Sequence, residues 1–144
     1  MKRLLIYIIG IGLLMAACDI ERSDNGDFDG LWQLYAVDTL PAGGTADMRL
    51  SQIVWCVQGT LLELRQGSDV EKDYICNFEL TEQMLKLSNP YLSKRDSGDI
   101  RVNDVDRLRL FGINQLEEQF KVLQLTDSRM DLESETLKLH FRKY

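Results

Sequence analysis

From Leu31 onward, apolar residues recur at every second position in short segments separated by Gly, Asn, Asp and Ser clusters. That is the period of half-buried β-strands. The alternation predicts strands over 31–38 (LWQLYAVD), 52–66 (QIVWCVQGTLLELRQ), 73–80 (DYICNFEL), 84–88 (MLKLS), 106–111 (DRLRLF), 120–126 (FKVLQLT), 129–133 (RMDLE) and 136–142 (TLKLHFR). Only 113–119 (INQLEEQ) suggests a short helical turn. In the long second strand Ile53, Trp55 and Val57 share a face, but Leu62 and Leu64 continue it out of phase. A β-bulge near Gly59 would reconcile the two halves. Tyr74, Cys76, Phe78 and Leu80 fall on one face of the next strand, with Asp73, Asn77 and Glu79 on the other, so the interior is apolar and the exterior polar. No helical segments of 10 to 15 residues alternate with the strands, which excludes parallel βαβ units. The expected fold is all-β, an antiparallel up-and-down barrel of about eight strands, because closure removes the exposed edges an open sheet would leave. The span from Ser88 to Val105 is long for a loop in such a barrel.

The chain starts differently. Lys2 and Arg3 precede an uncharged apolar run from Leu4 to Ala17 that stops at Cys18. A basic start, an apolar run and small residues before a cleavage point read as a secretory signal over residues 1–17, too short for a comfortable membrane span. The stretch Leu14-Met15-Ala16-Ala17-Cys18 resembles a bacterial lipobox, with Met15 where Leu is usual. That resemblance implies a diacylglycerol on the Cys18 thiol, cleavage before it, and acylation of the new amino group. Residues 18–29 then form a lipidated N-terminus and acidic tether (DIERSDNGDFD after the cysteine), and 30–144 the barrel domain. Several acyl chains anchor stably without a further membrane helix. The expected location is the bacterial cell envelope, lipid-anchored in the outer membrane, periplasmic or surface-exposed. The acids after Cys18 resemble surface-export tags of some Gram-negative lineages; a plain flexible linker is the other reading.

The charge balance narrows the partners. With 17 Lys and Arg against 23 Asp and Glu, the net charge is −6, and loss of Lys2 and Arg3 with the signal makes it −8. Such a surface argues against nucleic acid. At 144 residues, 44% of them hydrophobic, the chain is long enough for one modest core. His140 is the only histidine and alternates outward with Lys138 and Arg142, so no metal site is expected. Neither a nucleophile elbow nor a phosphate loop is present, and Glu117-Glu118 and Asp104-Asp106 read as solvated charge. No cofactor and no enzymatic activity are expected. Cys56 and Cys76 remain in a compartment that permits disulfides. A hairpin of 52–66 with 73–80 turning within 67–72 sets Cys76 near Glu63, roughly 20 Å along the strand from Cys56 and on the opposite face. A disulfide needs Cα atoms within about 7 Å, so both thiols are expected to be free.

Gly30-Leu31-Trp32 opens the first strand as G-x-W opens lipocalin-like domains, and Arg142 lies near the end of the last strand. Together with the runs FDGLWQL, IVWCVQ, LRLFGI, FKVLQLTDSRMDLES and LKLHFRKY, the chain resembles the small lipocalin-like lipoproteins of Gram-negative bacteria over most of residues 28–144. The resemblance implies a calyx-type barrel whose tryptophan, Trp32, sits at the base under a late arginine, Arg142. Leu137, Leu139 and Phe141 share a face, however, which places Arg142 on the other. Trp32, Trp55, Tyr74 and Phe78 are the candidate cavity residues for a small hydrophobic ligand; side chains at this period also serve simply as core. The expected function is an envelope-anchored noncatalytic lipoprotein binding a small hydrophobic molecule. The alternative is a filled barrel whose outer face or loops engage a protein or glycan.

Overall fold

The computed structural model describes residues 24–69, 72–94 and 96–144; the signal run, Cys18 and the first part of the tether lie outside them. Ten strands follow in order: β1 (Gly30–Thr39), β2 (Thr45–Asp47), β3 (Ile53–Gln58), β4 (Leu61–Gln66), β5 (Tyr74–Leu80), β6 (Met84–Leu92), β7 (Ile100–Arg101), β8 (Glu118–Leu125), β9 (Arg129–Glu133) and β10 (Leu137–Lys143). Eight form the wall, ordered β10-β9-β8-β6-β5-β4-β3-β1, and β10 pairs with β1 to close it. All pairings are antiparallel. The two remaining strands are short: β2 adds to β1 and β7 to β6 outside the closed path. The structure is therefore a closed up-and-down barrel of eight strands.

Hydroxyl side chains set three of its turns. Thr81 Oγ1 accepts from Met84 N at 3.1 Å, Thr126 Oγ1 from Arg129 N at 3.0 Å, and Ser134 Oγ from Leu137 N at 3.2 Å. Each turns the chain by satisfying a backbone donor that the ladder cannot reach.

Two expected strands need correction. The segment 52–66 is a hairpin rather than one bulged strand: Gln58 faces Leu61, and Gly59 occupies the two-residue turn at φ +61°, the region such turns require. The segment 106–111 is not a strand. It forms two 3-10 turns, Val105–Arg107 and Arg109–Phe111, and the helical turn expected over 113–119 is absent from that position. The true bulges lie elsewhere. The β1–β10 register slips between Leu34 and Ala36, the β8–β9 register between Val122 and Gln124, and the β5–β6 register between Ile75 and Asn77, opposite Asn89 (φ +50°) and Pro90. Proline tolerates that place because a bulge needs no ladder donor there.

The core runs the length of the barrel. Trp32, Leu34, Ile53, Trp55, Leu62, Leu64, Leu85, Phe120, Leu132, Leu139 and Phe141 are all fully buried. Two pieces from outside the wall complete it. At the end where β1 begins, the 3-10 turn Gly26–Phe28, within the expected tether, inserts Phe28. At the opposite end the segment between β7 and β8 inserts Val102, Leu108, Phe111 and Ile113.

Candidate ligand-binding site

The base of the barrel is closed by side chains from three chain segments. Trp32 Nε1 donates to the Phe28 carbonyl at 2.8 Å, and the Phe28 ring meets Phe78 edge-on at 5.1 Å. The cation over the indole is Lys143, not Arg142: its Nζ lies 4.7 Å from the Trp32 ring centroid and donates to the Asp27 carbonyl at 2.6 Å. Lys143 reaches Trp32 because the two residues are register partners on β10 and β1. Arg142 is on the outer face, where its Nε donates to Gln33 Oε1 at 2.7 Å.

Trp55 sits in the barrel core between Phe141, at 4.7 Å, and Phe120, at 5.9 Å. Tyr74, at the far end of β5, packs against Phe111 at 5.8 Å. The four candidate residues are thus distributed along the axis. Trp32 and Phe78 meet through Phe28 at the base, Trp55 stands between the aromatics of β8 and β10, and Tyr74 lies under the cap. Trp32 and Trp55 are fully buried, Tyr74 is 8% exposed, and Phe78 is half-buried against the core. Periodicity located these four but missed Phe28, Lys143 and the residues of the cap.

The cap is held by few bonds. Asn114 N donates to Glu118 Oε2 at 2.8 Å, Asn114 Nδ2 to Thr136 Oγ1 at 3.0 Å, and Val102 N to the Pro90 carbonyl at 2.9 Å. Its buried side chains, Val102, Leu108, Phe111 and Ile113, are apolar. Gly112, at φ +83°, brings the backbone so close to β10 that a Cβ there would stand 2.7 Å from Leu139 Cδ2.

The outer wall carries the polar chemistry. His140 is clamped across three strands, Nδ1 at 2.7 Å from Asp131 on β9 and Nε2 at 2.8 Å from Asp38 on β1. Partial burial opposes its charged form, but the hydrogen bonds to the two carboxylates prevail and raise its pKa above the ordinary histidine value. Asp38 is lowered, first by the Thr45 hydroxyl at 2.6 Å and then by His140. Both ring nitrogens face carboxylate oxygens, so the imidazolium acts as a clip between strands. A separate groove of about 620 Å³ is lined by Glu117, Glu133, Glu135 and Lys121, and one of about 280 Å³ by Cys56, Leu61, Arg65 and Ile75. Neither reaches the candidate aromatics. Among the described residues no group of three or more His, Cys, Asp and Glu side chains is placed to hold a metal ion.

Among the described residues the two cysteines are free, Cys76 buried and Cys56 partly exposed. The reason differs in part from the expected hairpin. β4 lies between their strands, with Cys56 opposite Glu63 and Cys76 opposite Leu62, so two interstrand spacings of about 4.8 Å separate them. Burial pushes the Cys76 thiol up to about 12.

The comparisons with known proteins agree with this architecture. Residues 13–144 match the family model described as a lipocalin-like domain. A lipocalin-like protein from Bacteroides uniformis ATCC 8492 superposes with a TM-score of 0.60 at 22% identity, covering 83% of this chain and 100% of that one. An uncharacterized protein from Bacteroides eggerthii DSM 20697 gives 0.58 at 19% identity, covering 81% and 99%. No curated protein matches the chain. At these identities the solved structures carry the fold alone, whereas the family model spans nearly the whole sequence: the chain belongs to the lipocalin-like domain family.

Proposed function

We propose that this is a noncatalytic, envelope-anchored lipoprotein whose barrel binds a small apolar molecule by taking the place of its cap. Anchoring is supported by the order Lys2-Arg3, apolar run, Ala16-Ala17-Cys18. The binding reading rests on one observation. The upper end of the barrel is closed by Leu108, Phe111 and Ile113, which come from a segment outside the closed strand ladder. Moving that segment breaks no barrel pairing and uncovers an apolar wall, which an apolar molecule can cover in its stead. The only histidine is bound to two carboxylates on the outer wall, which suits a binder better than a hydrolase.

A filled barrel acting through its surface is the second reading. It is favoured by Leu50, Ile100 and Leu110, apolar side chains 41 to 96% exposed on the connections at the capped end. A titration with the fluorescent probe N-phenyl-1-naphthylamine separates the two. If the cap must open, Gly112→Ala, which pushes it away from Leu139, raises apparent affinity severalfold by enlarging the open fraction. Gly98→Ala, with nothing within 4 Å of its added Cβ, leaves affinity unchanged. Equal affinities in both variants and the parent protein would refute cap displacement.

A further inference from the structure

We infer that the molecule held in the barrel carries a neutral hydrogen-bond acceptor, and that the Trp55 indole N–H is the group that reads it. The inference rests on the binding reading above and goes beyond it in naming the ligand's chemistry. Trp55 is fully buried, and its Nε1 is the one buried side-chain nitrogen or oxygen among the described residues with no hydrogen-bond partner. Trp32, equally buried, gives its Nε1–H to the Phe28 carbonyl. Native proteins seldom leave a buried donor unpaired, because its lost hydration is not returned.

Packing does not explain why position 55 holds an indole. The ring's aromatic partners are Phe120 and Phe141, which a phenyl ring would also meet without a donor to satisfy. Nor does the adjacent wall supply an acceptor side chain. The register neighbours of Trp55 are Trp32 on β1 and Leu64 on β4. With no acceptor side chain on either register neighbour, the proposed ligand supplies one on entering the core. Its body is apolar, since the side chains placed beside Trp55, namely Phe120, Phe141, Trp32 and Leu64, are apolar. Its acceptor is neutral, because an ionised carboxylate among these side chains would lose its hydration with no cation in contact with Trp55. The class is a chain or ring compound bearing an ester, ketone or alcohol oxygen.

The test compares methyl decanoate with n-undecane, similar in length but without oxygen, on the processed full chain. The parent protein is expected to prefer the ester by about three- to tenfold, the worth of one neutral hydrogen bond. Trp55→Phe should lose that preference while still binding undecane. Independently of that variant's folding, the parent's ¹⁵N-labelled indoles report directly: added ester moves the Trp55 N–H signal downfield and leaves that of Trp32 in place. An equal ester preference in Trp55→Phe, or an unmoved Trp55 signal at saturation, overturns the inference alone. So does an ordered water that cross-relaxes with the Trp55 N–H in ligand-free protein. If neither probe binds, the binding reading fails and this inference fails with it.

Discussion

Replacing Gly112 by alanine tests how the cap is seated. Two costs combine. At φ +83° an L-residue pays about 1 to 2 kcal/mol for the left-handed conformation. The new methyl would also stand 2.7 Å and 2.8 Å from the two Cδ atoms of Leu139, a fully buried side chain with little room to yield. Overpacking of that kind costs about 1 to 3 kcal/mol, so the expected loss is about 2 to 5 kcal/mol. Gly98 provides the control, since at φ +82° its added Cβ meets nothing within 4 Å and only the conformational cost of about 1 to 2 kcal/mol applies. Urea unfolding of both variants, compared at equal m-value, isolates the contact. Leu139→Ala is itself destabilising but removes the obstruction, so Gly112→Ala in that background should cost at least about 1 kcal/mol less than in the parent. Strict additivity, or a Gly112→Ala loss no greater than that of Gly98→Ala, would refute the docking of the cap against β10.

Four further outcomes are expected. Trp32→Ala should destabilise the barrel by about 3 to 5 kcal/mol, as large aromatic truncations in cores do; an unchanged denaturation midpoint would show that the base is not built on this residue. Cys18→Ser should abolish incorporation of labelled fatty acid, and normal labelling would remove the anchor from the proposal. Thiol labelling should find both remaining cysteines free after unfolding, and Cys56 faster than Cys76 in the folded protein, whose buried thiol is pushed up to about 12; a Cys56–Cys76 peptide in a non-reduced digest would contradict the register. His140 should titrate above its ordinary 6.5. Because its pKa is raised on folding, its stabilisation is full below the unfolded value and is lost as pH rises through the folded one. Asp38 has the opposite sign: its contribution is present above the ordinary 3.8 and is lost as pH falls through its lowered value. The clip is thus complete between those limits. His140→Gln should flatten the alkaline limb, and an NMR titration placing His140 at or below 6.5 would exclude the clip.

The strand number was legible partly through offsetting errors. Reading 52–66 as one strand lost a strand, and reading 106–111 as a strand restored the count. The phase change at Gly59 fits either a bulge or a two-residue turn, since both shift the alternation by one. Length distinguishes them: a strand of that span extends about 50 Å, more than the wall of a small barrel. In the cap, alternation of Leu108 and Leu110 suggested a strand, yet Leu108 is 1% exposed and Leu110 41%. The buried pair Leu108 and Phe111 is spaced by three, as in a tight helical turn. The flanking signals were also present. Asp104 accepts from Asp106 N at 2.9 Å at one end, and Gly112 terminates the turn in the left-handed region at the other.

At the site, parity reached further than it was taken. The alternation that removes Arg142 from the tryptophan places residue 143 on the same face as Leu137, Leu139 and Phe141, which points to Lys143 as the cation at the base. Parity fails at His140 for a physical reason. Counted along a straight β1, Asp38 shares the inward face of Trp32 and Leu34, away from any outward histidine. The extra residue at Tyr35 shifts the pairing so that Ala36 faces His140. Asp38 thereby turns to the outer surface, where its carboxylate meets the Nε2 of His140 at 2.8 Å. The unpaired donor of Trp55 lies beyond any periodicity, because alternation assigns a face to a side chain and says nothing of what meets its nitrogen. Local spacing can therefore propose the wall, whereas the clip depends on a bulge and the reading group on a three-dimensional set of partners.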